Sequence, residues 1–123
     1  MNTPLIGSQR TRATAPRKAQ RADACVQLEH IPNIGQALAQ DLRSLGIHSP
    51  QDLAGQDGWA LYEALCLRSG TYHDPCVLDT FIAATEFMRG GPPLPWWHHT
   101  EQRKARYGAA VLTLRRELAG ATS

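Results

Sequence analysis

A chain of 123 residues, 42% hydrophobic and 20% charged, has the size and composition of a single globular domain that buries a core without metals or disulfides. Its net charge is only +2, and its three cysteines lack a CxxC spacing and cannot all pair within one chain, which predicts reduced thiols and a cytoplasmic protein. Neither an N-terminal apolar run of signal-peptide length nor a stretch of about 20 apolar residues occurs, so we expect no export and no membrane span.

The small net charge conceals three segments of different sign. Residues 1–22 hold five basic residues and no acid, residues 23–99 hold three arginines and nine acids, and residues 100–123 hold five basic residues and two acids. We therefore divide the chain into a basic N-terminal arm, an acidic domain and a basic C-terminal segment with these bounds. Both ends can attract a polyanion, whereas the middle repels one.

The first 21 residues are rich in Arg, Thr, Ala and Pro and show no apolar periodicity, which predicts a disordered arm. Three interpretations of the arm stay open: a solvated tail, an organelle transit peptide, or a phosphate-binding segment that gains affinity by releasing counterions. The cations available for phosphate are Arg10, Arg12, Arg17, Lys18 and Arg21.

A short helix is predicted after Asp23, whose carboxylate can cap its first turn. Pro32 ends this helix, because the residue before a proline is pushed out of the α region. Its inward-facing residues are predicted to be Cys25, Val26, Leu28 and Ile31. A second helix begins near Gly35 and ends at Gly46, a C-terminal cap after which Ile47 can fold back. Its apolar residues fall at helical spacing and form one stripe: Ile34, Leu38, Leu42 and Leu45.

Cap signals mark the helices that follow. Ser49-Pro50, Asp57 and Asp74-Pro75 each begin one, since Ser and Asp are favoured N-caps and proline is a favoured first residue. Glycines end these helices, at Gly55, Gly70 and Gly90. The third of them is strongly apolar and is expected at the centre of the core. Its apolar residues are Val77, Leu78, Phe81, Ile82, Ala84 and Met88.

A last helix is predicted from about Thr100 to Leu118. One side of it is either a core-docking face or a dimer seam, so monomer and homodimer both stay open. The residues on that side are Tyr107, Val111, Leu114 and Leu118. No run has the pattern of a strand. The fold class is therefore all-α: a compact helix-hairpin-helix (SAM-like) domain of about five helices with a disordered basic N-terminal arm.

The turn between the first two helices, at residues 31–35, has the features of a phosphate-binding hairpin. Backbone N–H groups at the start of the second helix point outward, and the helix dipole adds attraction for an anion. Gly35 stands where the second glycine of such a turn is expected, and Asn33 replaces the first. Asparagine is the non-glycine residue that best tolerates positive φ. The N–H groups predicted to hold a phosphate are those of Asn33, Ile34, Gly35 and Gln36.

Similarity to a known family extends beyond this turn. The matching segments are residues 28–47 (LEHIPNIGQALAQDLRSLGI), 49–62 (SPQDLAGQDGWALY) and 73–79 (HDPCVLD), with Leu65-Cys66, Phe81 and Trp96-Trp97. Over residues 24–98 the chain resembles the pathogenicity-locus family of small bacterial helix-hairpin-helix proteins, sometimes labelled mitomycin-resistance proteins. The resemblance implies a helix-hairpin-helix fold, and the motif itself implies DNA binding.

Two functions from different classes follow from these features. In the first, the hairpin N–H groups hold one phosphate and flanking cations hold its neighbours, so that the protein binds nucleic acid, DNA foremost, without reading its sequence. The cations outside the arm are Arg43, Arg103, Lys104 and Arg106. In the second, the hairpin is only a structural corner and the domain recognises another protein, which the acidic middle favours because it repels a polyanion. Neither function needs a cofactor, a metal or a membrane.

Catalysis and metal binding were weighed on a few further residues. Cys76 in the first turn of a helix, three residues from His73, is either a thiol activated by the helix dipole or a small buried hydrophobe. The spacing of Cys and His residues matches no standard zinc pattern, so we predict neither an enzyme nor a metal site. Trp96 and Trp97 either fix a loop or stack on exposed bases.

Overall fold

The computed structural model describes residues 17–122, with side chains to residue 120, and contains helices but no strand in that range. The α-helices are α1 (Gln36–Ser44), α2 (Gly58–Ser69), α3 (Pro75–Met88) and α4 (Thr100–Thr122). Shorter 3-10 helices lie at Ala22–Ala24, Leu28–His30, Pro50–Gly55 and Trp96–His99. The predicted all-α class is confirmed. Arm residues Arg10 and Arg12 lie outside the described residues. None of the described helices is long and apolar enough to cross a membrane.

The segment predicted to form the first helix does not form an α-helix. Two 3-10 helices replace it, and Asp23 lies inside the first of them rather than capping it. The carboxylate of Asp23 instead pairs with Arg21, with 3.0 Å between Nε and Oδ1. Val26, predicted to face inward, is 81% exposed because it lies between the two short helices, where the spacing of an α-helix does not apply. The other three predicted core residues of this segment are buried: Cys25, Leu28 and Ile31.

The predicted helix ends are confirmed where they depend on local chemistry. Gly46 ends α1 with a φ of 91°, and the N–H of Ile47 folds back to the Leu42 carbonyl at 3.0 Å. Asp57 caps α2 by accepting the Ala60 N–H at 3.0 Å. Asp74 caps α3 in the same way, through the Cys76 N–H at 2.8 Å. Pro50 does begin a helix, but a 3-10 one.

Helix α3 forms the centre of the core, as predicted. It packs against α2, α4 and the 3-10 helices Pro50–Gly55 and Trp96–His99. Most of its apolar residues are buried, although Val77 and Ile82 lie only partly inside. The apolar side of α4 also belongs to this core, and the Trp59 and Tyr107 rings stack 5.4 Å apart between α2 and α4. This side of α4 is therefore a core-docking face.

A buried ion pair fastens α4 to α3. Asp79 of α3 is fully buried and accepts hydrogen bonds from Arg103 at Nε (2.7 Å) and Nη2 (3.2 Å) and from the Thr100 hydroxyl (2.8 Å). The side chain of Arg103 is 12% exposed. Because the carboxylate holds the guanidinium inside the protein, Arg103 serves the fold, contrary to its prediction as a phosphate contact at the surface.

Replacing Arg103 by Gln should lower the free energy of unfolding by about 3–5 kcal/mol, because Asp79 would keep its buried charge without a cation. Chemical denaturation measures this change. The matched control is Arg116→Gln on the exposed side of the same helix, which should change stability by about 0.5 kcal/mol or less. Equal stabilities of the two variants would contradict the structural role of the pair.

Candidate nucleic-acid interface

The turn at residues 31–35 leads directly into α1 and contains the predicted positive φ. Asn33 has a φ of 73°, the one positive value at a non-glycine residue within the described chain. Gly35 does not have the positive φ expected of a turn glycine. Its φ of −88° and ψ of −176° are values that any residue can adopt. A Cβ atom on Gly35 would meet nothing within 4 Å. Glycine at this position therefore leaves open space in front of α1 and relieves no strain.

Of the N–H groups predicted to bind phosphate, one already makes a hydrogen bond within the protein and the others make none. The N–H of Ile34 donates to the Ile31 carbonyl at 3.1 Å, so it is not available as predicted. The N–H groups of Asn33, Gly35 and Gln36 make no hydrogen bond with any described residue. Gly35 and Gln36 are exposed, and so is Ala37 behind them. The start of α1 thus presents open donors to solvent.

The side chain of Asn33 fastens the turn to the segment before α4. Its Nδ2 donates to the Leu94 carbonyl at 2.9 Å, and its Oδ1 accepts from the Trp96 N–H at 3.3 Å. The amide therefore points away from the space in front of Gly35. Asn33 meets the backbone demand for positive φ and, unlike glycine, also joins two distant parts of the chain.

A lysine from the predicted arm lies on the turn. The Lys18 ammonium donates to the Glu29 carbonyl at 2.8 Å and to the Ile34 carbonyl at 2.6 Å. The neighbouring N–H of Ala19 donates to the His30 carbonyl at 2.8 Å, which holds this part of the chain in place. Burial lowers the pKa of Lys18 from its ordinary value. Sequence periodicity contained no signal for this contact, because Lys18 precedes the first helix.

The remaining predicted cations are scattered. Arg43 forms a two-pronged pair with Glu29, at 2.7 and 3.2 Å, and the hydrogen bonds from Arg43 lower the pKa of Glu29. Arg21 is occupied by Asp23, and Arg17 is exposed. The predicted cations of α4 that are exposed are Lys104, 3.8 Å from Glu101, and Arg106, which lies over the Tyr107 ring. No hydrogen bond or ion pair among the described residues joins these α4 cations to the turn.

The tryptophan pair lies next to the turn through the contact with Asn33. Trp96 is partly buried, whereas Trp97 is 63% exposed, and their rings meet edge to face with centroids 5.6 Å apart. One ring therefore packs and the other faces solvent. An exposed aromatic ring is a surface on which an unpaired base can stack.

The surroundings of the Cys76 thiol disfavour its ionised form. Burial, followed by the hydrogen bond and charge of Asp74, raises the pKa of Cys76 to about 11. Both causes act against the lowering that is expected for a thiol at the start of a helix. Among the described residues there is also no group of three or more His, Cys, Asp or Glu side chains that could hold a metal ion.

Substituting Asn33 separates its two roles. Asn33→Ala should lower the free energy of unfolding by about 2–3 kcal/mol. The variant loses both hydrogen bonds, and alanine is strained at positive φ because of its Cβ atom. Asn33→Gly loses only the hydrogen bonds and should lower it by about 1 kcal/mol. Thermal or chemical denaturation distinguishes the two. A glycine variant less stable than the alanine variant would contradict this account of the turn.

Alkylation of Cys76 by iodoacetamide should be slow at pH 8, where a pKa of about 11 leaves about one thousandth of the thiol ionised. Asp74→Asn should lower the pKa of Cys76 and speed its alkylation, because it removes the hydrogen bond and charge that raise the pKa. Mass spectrometry of the alkylated peptides separates Cys76 from the buried Cys25 and Cys66. Rapid labelling of Cys76 in the unsubstituted protein would instead support the hypothesis that the helix dipole activates this thiol.

Comparison with known proteins agrees with this architecture. Residues 18–105 match the family described as pathogenicity locus, a range that includes Lys18, the turn and the start of α4. The mitomycin resistance protein McrB of the bacterium Streptomyces lavendulae is 36% identical over 77 residues, which cover 63% of this chain and 73% of that protein. No solved structure is significantly similar. Since the family match takes in well over half of the sequence, the chain belongs to the pathogenicity locus family.

Proposed function

We propose that this protein is a non-catalytic helix-hairpin-helix module that binds nucleic acid, DNA foremost, without sequence specificity. The observation that carries the proposal is the start of α1, where the N–H groups of Gly35 and Gln36 are open and Lys18 is bonded to the Ile34 carbonyl of the same turn. In a trans peptide the Ile34 carbonyl and the Gly35 N–H point in opposite directions, so Lys18 supplies positive charge to the turn and the backbone supplies the donors. The open N–H groups and the dipole of α1, together with this charge, suit one phosphate.

The local charge at the turn favours this assignment although the middle of the chain is acidic overall. Glu29, the acid nearest to the turn in sequence, is paired with Arg43 and contributes no net charge there. Asp79 is likewise neutralised by Arg103 inside the protein. The first turn of α1 contains no acid. A phosphate approaching Gly35 therefore meets Lys18 and backbone donors without an unpaired carboxylate from either of these two acids.

Affinity beyond one phosphate requires further contacts. Arg17 precedes Lys18 in the chain and is exposed, so it can hold a neighbouring phosphate. Trp97 can stack on an unpaired base. Phosphate contacts and base stacking carry little sequence information, which makes binding tolerant of sequence and sensitive to salt.

A protein partner is the second candidate. It is favoured by two exposed apolar side chains: Val26, 81% exposed before the Leu28–His30 helix, and Trp97, 63% exposed in the Trp96–His99 helix. Isolated exposed apolar residues are common on protein surfaces, so this observation is weaker than the position of Lys18. In this alternative the turn remains structural and the protein acts as an adaptor.

Gln36→Glu gives a clean test of the nucleic-acid proposal. An acid in the first turn of α1 should raise the stability by about 0.3–1 kcal/mol through the helix dipole, and the same charge should repel a phosphate. Fluorescence anisotropy with labelled single- and double-stranded DNA should therefore show weaker binding by a more stable protein. Lys18→Gln should weaken binding and reduce the slope of log affinity against log salt by about 1.

The matched control is Gln40→Glu, which adds the same charge at an exposed position one turn further along α1. It should affect binding less than Gln36→Glu because it is farther from the open donors. Binding that is insensitive to salt and to Gln36→Glu would overturn the proposal. If Gln36→Glu and Gln40→Glu both retained a stoichiometric protein partner and neither bound DNA, the adaptor function would be supported instead.

A further inference from the structure

The short 3-10 helix Leu28–His30 is held at its start by an imidazole that accepts two hydrogen bonds. Nδ1 of His30 accepts the backbone N–H of Val26 at 3.0 Å and that of Gln27 at 3.1 Å. A ring nitrogen that accepts hydrogen bonds carries no proton, so in this arrangement the proton of the imidazole is on Nε2. The imidazolium ion has a proton on both nitrogens and accepts no hydrogen bond. Protonation of His30 therefore removes both hydrogen bonds at once.

These two hydrogen bonds have no substitute within the described part of the chain. Neither the Val26 N–H nor the Gln27 N–H donates to any other described residue. Once Nδ1 of His30 is protonated it is itself a donor, so three N–H groups point at one another. The segment has to move to separate them, and it can do so because Val26 and Gln27 are exposed to water.

The same short helix holds the segment that precedes it in the chain. The Lys18 ammonium donates to the Glu29 carbonyl at 2.8 Å, and the Ala19 N–H donates to the His30 carbonyl at 2.8 Å. A further hydrogen bond joins the Lys18 ammonium to the Ile34 carbonyl of the turn. Residues 18 and 19 are therefore fastened to the helix by the backbone carbonyls of Glu29 and His30, and movement of His30 disturbs both attachments.

The charged side chains around this helix offer no unpaired carboxylate in contact with His30. Glu29, the neighbouring residue, is paired with Arg43 of α1 at 2.7 Å. Asp41, the other charged residue of α1, forms no hydrogen bond or ion pair with the helix among the described contacts. The charged residues described before the helix are Arg17, Lys18, Arg21 and Asp23, of which the last two are paired with each other. A protonated imidazole thus gains no ion pair to offset the two lost hydrogen bonds.

We propose that His30 is a proton-sensitive latch. The neutral ring holds the Leu28–His30 helix, and with it Lys18 and Ala19, against the turn; the protonated ring releases them. Histidine is the side chain whose charge ordinarily changes between about pH 5 and 8, so the segment is held at neutral pH and released in mild acid. The inference concerns the fold of this segment and stands whether or not the turn binds nucleic acid.

NMR of the full-length protein at about pH 7.5 and about pH 5 tests the latch. At the higher pH the ring nitrogen signals of His30 should show the proton on Nε2. At the lower pH the backbone order parameters of Lys18 and Ala19 should fall from about 0.85 to below about 0.6, while those of α3 stay near 0.85. His30→Asn should abolish this fall, because Oδ1 of asparagine is as many bonds from Cβ as Nδ1 of histidine, accepts both N–H groups and does not titrate.

The matched control is His48→Asn, at an exposed histidine after α1, which should keep the pH response of the unsubstituted protein. A proton on Nδ1 of His30 at the higher pH overturns the proposal. So does order at Lys18 and Ala19 that persists in acid, or a loss of order in α3 at the same pH, which is global unfolding. An equal response of His30→Asn and the unsubstituted protein overturns it too. The measurements on the unsubstituted protein decide the matter even if His30→Asn does not fold.

Discussion

The two hydrogen bonds made by the Asn33 side chain hold together two parts of the molecule that are far apart in sequence. They fix the turn before α1 to the backbone of Leu94 and Trp96. The 3-10 helix that follows, Trp96–His99, continues directly into α4. Among the described residues, no other hydrogen bond of the turn reaches this helix. A residue that replaces a glycine thus gives the turn its position.

The distribution of paired charges explains how an acidic middle is compatible with a site for an anion. Arg43 neutralises Glu29 next to the turn, and Arg103 neutralises Asp79 inside the core. Each arginine is paired with a carboxylate, so neither is an unpaired surface cation. Lys18 differs because it is bonded to neutral carbonyls. Its positive charge therefore remains available at the turn.

Helix-capping preferences and apolar spacing predicted much of the fold. The features that they did not predict depend mostly on contacts between residues far apart in sequence. The caps at Gly46, Asp57 and Asp74 and the apolar side of α4 depend on neighbouring residues or on helical spacing, and they are confirmed. Val26 was misplaced because a 3-10 helix has a different period. The roles of Asn33 and Arg103 depend on partners 63 and 24 residues away, which no local pattern specifies.

The start of α1 differs from the starts of the other interior helices in a way that bears on function. Asp57 and Asp74 cap α2 and α3, whereas Gly35 precedes α1 with no side-chain cap and no acid in the first turn. An Asp or Ser at position 35 would meet no steric obstacle at Cβ and would add stability of about 1 kcal/mol relative to an uncapped start. Such a side chain would also occupy the donors that a phosphate needs. The start of α1 therefore lacks the stability that a capping side chain would add, and it is also the helix start to which Lys18 supplies a cation. An external anion would suit both the open N–H groups and this positive charge.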